Sequence, residues 1–134
     1  MSSIILIDDD RIVNYINRKI IEIQNPDIVI HEFLCPKTAL ENISIEESLR
    51  TSTIFLDLNM PVMSGWEFLA AIKNRIPKFT GKIYILSSSI DRDDKESAKN
   101  DPWVEDFCSK PLNPELIKQI TSPSPTSARQ YGTL

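Results

Sequence analysis

Residues 53–58 read Thr-Ile-Phe-Leu-Asp-Leu, an unbroken apolar run that closes on the carboxylate of Asp57 before Asn59, Met60 and Pro61 turn the chain. A run without polar alternation fits a central strand covered on both faces, the usual condition of a strand in a parallel sheet. On the N-terminal side, Ile4 to Ile7 is another short apolar run. Behind it Ile12, Val13, Ile16, Ile20 and Ile23 recur at helical spacing until Asn25-Pro26 stops the helix. Ile28 to Leu34 reads as a strand whose His31 and Glu32 suit an edge. Pro36, Ala39, Leu40 and Ile43 then mark a short helix ahead of a polar stretch, Glu46 to Thr53. On the C-terminal side, Ser64 stands three residues before Glu67, a capping-box spacing, and Phe68, Leu69 and Ile72 supply the buried stripe of the helix that follows. Lys82 to Leu86 is a fourth strand, Asp91 can cap a polar helix, and Val104 to Ser109, with Glu105 and Asp106 in it, is a second edge-like strand. Asn113-Pro114 opens a last helix that ends near Ile120, since proline at the first helical position loses no needed N–H.

Five strand-and-helix pairs in succession predict an α/β fold, a doubly wound parallel sheet of five strands flanked by five helices. A chain of 134 residues has room for one such domain, taken here as residues 1–121. From residue 122 onward the composition turns to serine and proline without apolar periodicity, so residues 122–134 are expected to be a flexible tail. Fifteen Lys and Arg against nineteen Asp and Glu leave a formal net charge of −4, the wrong sign for a protein that neutralises the phosphates of a nucleic acid. Cys35 and Cys108 have neither the number nor the spacing of a disulfide framework or zinc site, which points to reduced thiols and the cytoplasm. No apolar run approaches the ~20 residues of a membrane span. With three glycines there is no glycine-rich phosphate loop.

The informative polar residues gather at the C-terminal ends of the predicted strands: Asp8 and Asp9 after the first, Asp57 in the third, Ser87 after the fourth, Lys110 after the fifth. Ligands of open α/β sheets bind along that edge, and in the strand order 2-1-3-4-5 the first and third strands are neighbours. Asp8, Asp9 and Asp57 would then repel one another unless a cation or protons relieve them. Magnesium, which takes oxygen ligands from one or two carboxylates, waters and a phosphate, suits two carboxylates and an open face. Lys110 adds a positive charge and Ser87 a hydroxyl donor. A carboxylate nucleophile, a metal and a lysine cover what phosphoryl transfer requires, and Asp57, single and central, is the candidate nucleophile.

The stretches Leu6-Ile7-Asp8-Asp9-Asp10, Phe55-Leu56-Asp57-Leu58-Asn59-Met60-Pro61 with Gly65 following, Ile85-Leu86-Ser87-Ser88, and Ser109-Lys110-Pro111 resemble, in order and spacing, the four signature segments of the receiver domains of two-component response regulators. The resemblance spans roughly residues 3 to 121. It implies a flavodoxin-like fold and a phosphoacceptor that works in a phosphorelay rather than as an enzyme on an external substrate, catalysing its own phosphoryl transfer and autodephosphorylation. By the same resemblance Asp57 accepts the phosphoryl group from a histidine kinase or phosphotransfer protein. Asp9 is the direct magnesium ligand, Asp8 acts largely through metal-bound water, and Asp57 with the backbone carbonyl of Asn59 completes the protein's share of the Mg2+ shell. Lys110 pairs with the phosphoryl group, and Ser87 is the switch hydroxyl whose movement makes room for Phe107. Phe107 stands where tyrosine is frequent, so a hydroxyl is missing from that switch. Ser89 and Asn59 would tune the lifetime of the acyl phosphate. The Lys110-Pro111 bond is expected to be cis. The output is expected to be binding of a downstream protein through the fourth helix, fifth strand and fifth helix, with no direct role for nucleic acid or membrane.

Each residue also has a plainer reading. Acidic residues at a helix start interact favourably with its dipole, and Asp10 is read as a cap only. Ser87 and Lys110 taken singly are a strand-end hydroxyl and a surface charge, and Phe107 is core. Trp66 and Trp103 flank helices that cover the sheet. His31, the single histidine, has no partner for a triad or metal site. Asp91, Asp93 and Asp94 form a solvated helix start. Two rival functions use the same fold. A magnesium-dependent phosphohydrolase would want a second acid two residues after its nucleophile, where Asn59 stands. A degenerate receiver that only binds partners would have no need of Asp8, Asp9, Asp57, Ser87 and Lys110 together.

Overall fold

The computed structural model describes residues 3–88 and 91–121; the expected tail, 122–134, and Ser89 lie outside the described residues. The elements run β1 (Ile4–Ile7), α1 (Arg11–Gln24), β2 (Ile30–Phe33), α2 (Pro36–Ile45), a short 3₁₀ helix (Glu47–Thr51), β3 (Thr53–Asp57), α3 (Gly65–Arg75), β4 (Lys82–Ser87), α4 (Arg92–Asn100), β5 (Val104–Ser109) and α5 (Pro114–Thr121). All strand pairs are parallel and the sheet order is β2-β1-β3-β4-β5, as the alternation of runs predicts.

Strand alternation divides the core into two layers. Ile5, Ile7, Ile54, Leu56, Ile83 and Ile85 face Ala39, Leu40 and Ile43 of α2 and Phe68, Leu69 and Ile72 of α3. The intervening residues Ile4, Leu6, Phe55, Tyr84 and Leu86 face Ile21 of α1 and Leu112 and Ile117 on the α5 side. Phe55 and Tyr84 stack there with ring centroids 5.2 Å apart. The helix starts follow local chemistry: Asp10 accepts from the amides of Ile12 and Val13, Ser64 and Glu67 form a reciprocal capping box, and Asp91 accepts from the amides of Asp93 and Asp94.

Three departures from the sequence reading have physical causes. β2 is Ile30–Phe33 rather than Ile28 to Leu34, because β1 offers only Ile4 to Ile7 as pairing partners. The polar stretch after α2 contains the 3₁₀ helix, held by burial of its Leu49. α1 forms where expected, but Ile12, Ile16 and Ile23 of its apolar series face outward, with Ile12 68% and Ile23 76% exposed. The residues it buries are Asn14, Asn17 and Ile21. The amides displace the isoleucines because backbone groups at the end of the sheet need their hydrogen bonds. Elsewhere boundaries differ by one residue: β3 stops at Asp57, β4 reaches Ser87 and α5 ends at Thr121. Among the described residues no helix is long and apolar enough to cross a membrane.

Candidate functional site

The β1–β3 register pairs Ile7 with Leu56, so Asp8 and Asp57 leave the sheet side by side at its C-terminal edge. Both are buried, at 4% and 5% exposure, while Asp9 is exposed beside them. One carboxylate oxygen from each of Asp8, Asp9 and Asp57 lies within 4.8 Å of the others. The loops hold these groups by their own backbone: Asp8 Oδ1 accepts from the Asp10 amide at 2.9 Å, and Asp57 Oδ1 from the Asn59 amide at 3.4 Å.

Lys110 reaches the pair from beyond β5. Its amide donates to the carbonyl of Ser87 at 2.9 Å, and the Lys110–Pro111 peptide is cis, as expected. Its Nζ lies 2.6 Å from Asp8 Oδ2 and 3.1 Å from Asp57 Oδ1. The approach to Asp8 Oδ2 is an ion pair without the alignment of a good hydrogen bond. Burial pushes the Asp57 carboxyl above its usual range, the charge of Asp8 pushes it further, and Lys110 pulls partly back. Burial by itself would depress the Lys110 ammonium, but Asp8 and then Asp57 outweigh it, and the net displacement is upward. One partly buried cation therefore answers for two buried anions with a third close by. That surplus of hard oxygen donors suits a divalent ion of the magnesium or calcium kind.

Gly65 keeps α3 close to the site. Its amide donates to Leu58 O at 2.9 Å, and a Cβ built there would stand 2.5 Å from the Asp57 carbonyl oxygen, so any side chain would force the strand end and helix start apart. Ser87 is buried at the end of β4 and shares a strand face with Ile85. The register pairs Ile85 with Phe107, whose half-buried ring packs on the α2/α3 layer. Ser87 and Phe107 thus stand on one face of the sheet, whereas Asp57 shares its strand face with Phe55 in the other layer. Asn59 and Ser88 are exposed at the loop openings.

The remaining candidates go elsewhere. Asp10 is the α1 cap. Trp66 packs on the core and donates from Nε1 to Asp94 Oδ1 at 3.1 Å, so that helix-start acid is less solvated than expected. Trp103 stacks on Phe79 at 6.4 Å. His31 is half-buried on β2, where it lines a cavity of about 610 Å³ together with Asp27, Asn42 and Glu46, a cavity that Asp8, Asp9 and Asp57 do not line. The sequence reading passed over Asn14 and Asn17, although two asparagines set among the isoleucines of α1 are a signal of buried polar partners.

Residues 4–122 match the family described as the response regulator receiver domain. A solved two component response regulator from Cytophaga hutchinsonii is 32% identical and superposes with a TM-score of 0.79, over 86% of this chain and 90% of that one. Among curated proteins, the chain is 28% identical over 116 residues to the cyclic di-GMP phosphodiesterase response regulator RpfG of Xanthomonas campestris pv. campestris (strain 8004), covering 87% of this chain and 30% of that protein. It is 27% identical over 124 residues to hybrid signal transduction histidine kinase L of Dictyostelium discoideum, covering 90% of this chain and 7% of that protein. The chain spans less than a third of the length of either curated relative.

Proposed function

Because the chain belongs to the response regulator receiver domain family of two-component systems, we propose that it is a phosphoacceptor whose Asp57 takes a phosphoryl group from a histidine kinase or phosphotransfer protein. The observation that carries this reading is the pair of buried carboxylates, Asp8 and Asp57, bridged by one ammonium at 2.6 and 3.1 Å on the sheet edge where ligands bind. An Asp57 oxygen attacks phosphorus; the new O–P bond forms as the P–N bond to the donor imidazole breaks. Asp8, Asp9, Asp57 and the backbone carbonyl of Asn59 would hold Mg2+, and the three carboxylates within 4.8 Å fit a hard cation. When bound, the ion supplies positive charge against the phosphoryl oxygens.

Lys110 exchanges part of its attraction to Asp8 and Asp57 for the incoming phosphoryl group. The Ser87 hydroxyl donates to a phosphoryl oxygen, and Phe107, on the same sheet face, takes up the space that Ser87 leaves. A surface formed by α4, β5 and α5 then changes its affinity for a downstream protein, and autodephosphorylation ends the state when water attacks phosphorus, the O–P bond to Asp57 breaks and inorganic phosphate leaves. The free thiols Cys35 and Cys108 are in keeping with a cytoplasmic setting. Intact mass after incubation with a small acyl phosphate tests the reading. One added phosphoryl mass is expected in wild type with magnesium, and none with Asp57→Asn or after chelation. Failure of folded, magnesium-binding wild type to label from either the acyl phosphate or a phosphorylated kinase would overturn it.

A further inference from the structure

The side of α1 that meets the sheet is polar next to the site. Asn14 and Asn17, one helical turn apart, are each 1% exposed. A buried amide left without partners costs about 1–3 kcal/mol, so these two side chains are retained at a penalty unless something answers them. Asn14 Nδ2 donates to the carbonyl of Asp8 at 3.1 Å and to that of Phe33 at 3.4 Å. Asn17 Oδ1 accepts from the amide of Leu112 at 3.0 Å. Asp8 is one of the site's carboxylates, and Leu112 stands just beyond Lys110 and the cis Pro111. Lys110 Nζ closes the circuit to Asp8 Oδ2 at 2.6 Å. One turn of a capped helix therefore grips both the loop that carries Asp8 and the loop that carries Lys110.

We propose that Asn14 and Asn17 are positioning residues that set the separation of these two loops and so aim Lys110 at Asp8 and Asp57. The proposal rests on the reading of Asp57 as phosphoacceptor. The two asparagines use opposite ends of the amide: Asn14 acts through its NH2 group and Asn17 through its carbonyl oxygen. Asn14 Oδ1 is buried with no hydrogen-bond partner among the described residues, so packing alone would be better served by an apolar side chain of the same shape. What the amide provides there is its grip on the Asp8 and Phe33 carbonyls.

The same isosteric substitution should therefore give opposite results at the two positions. Asn17→Asp keeps an oxygen for the Leu112 amide, whereas Asn14→Asp sets a carboxylate against two carbonyl oxygens. The full chain carrying Asn14→Asp, Asn17→Asp or Asn17→Leu is compared with wild type for magnesium affinity by calorimetry and for the rate constant of labelling by a small acyl phosphate at saturating magnesium. Asn14→Asp is expected to weaken magnesium binding about 10-fold through its effect on Asp8. Asn17→Leu is expected not to weaken that affinity and to slow labelling about 10-fold through misplacement of Lys110, and Asn17→Asp to recover most of the rate. Variants that match wild type in both constants, or that lose both in parallel as a general loosening would produce, would overturn the proposal. Amide exchange in wild type keeps the question open to test if a variant does not fold. The Leu112 amide must be protected like a core amide, and exchange at the rate of an open loop would refute the role of Asn17. A wild type that neither binds magnesium nor labels sinks the phosphoacceptor reading and this proposal together; a wild type that does both beside indifferent variants sinks the positioning role alone.

Discussion

Asp57 carries a charge that its surroundings resist. Its carboxyl is displaced upward by burial first and by Asp8 second. A carboxyl whose folded-state pKa exceeds its unfolded value binds its proton more tightly when folded. Its contribution to stability is therefore fully present below the unfolded value and is lost as pH rises through the folded one. At neutral pH the ionised Asp57 is a cost in the metal-free protein. Asp57→Asn is accordingly expected to raise the metal-free melting temperature at pH 7 by a few degrees and to narrow that advantage toward pH 4. Added magnesium should stabilise wild type well above the variant. Thermal unfolding with and without chelator measures all three, and a variant less stable than wild type in chelator would refute the account. The sequence already placed Asp8, Asp9, Asp57, Ser87 and Lys110 on one edge, because strand-terminal residues of parallel strands converge whatever the details of packing. It did not disclose Asn14 and Asn17, whose partners are backbone atoms of Asp8, Phe33 and Leu112. Backbone partners leave no mark in side-chain patterning.

Among α1 to α5, α4 buries the fewest residues. Its sequence, Arg92 to Asn100, buries only Ala98, and polar ties do much of the fastening. Trp66 on α3 donates to Asp94 at 3.1 Å, and Lys73 on α3 pairs with Asp101, just past the helix, at 2.6 Å. A helix with one buried residue opens at low cost, so the α4 amides should exchange faster than those of α3. Asp94→Ala should speed α4 exchange roughly fivefold, the equivalent of about 1 kcal/mol for one hydrogen bond, and leave β1 and β3 unchanged. Hydrogen exchange read by mass spectrometry decides it, and an α4 as protected as α3 would contradict the assignment of its anchors. The polar character of this helix was plain from its residues. The Trp66 tether was not, because it joins α3 to α4 across the stretch of chain that includes β4. The outward isoleucines of α1 have a related cause: periodicity reports which residues share a face, and tertiary partners decide which face turns in.

At the scale of the whole molecule, three groups make the fold vulnerable to alkali. Burial, with help from Asp106, raises the Cys108 thiol from 9.0 to about 11. Burial, then Glu105, Cys108 and Asp106, raises the Tyr84 hydroxyl from 10.0 to about 12. Lys110 is also displaced upward from 10.5. Each folded-state pKa exceeds its unfolded value, so the stability these groups contribute is intact below those unfolded values and is lost as pH climbs through the folded ones. Urea unfolding should show stability falling from about pH 9, the ordinary thiol value, and Cys108→Ala should delay the onset toward pH 10, where the tyrosine begins. A flat profile to pH 11 would refute it. The global architecture was the most legible level, because five apolar runs separated by helical periods admit few topologies, whereas the exact strand lengths depended on how many residues a neighbour offered. One consequence lies in the two layers of the sheet. Asp57 belongs by strand face to the α1 and α5 side, and Ser87 with Phe107 to the side of α2 and α3. Side chains from both layers thus meet along the sheet's C-terminal edge, so that a change of volume in either layer is felt at that seam.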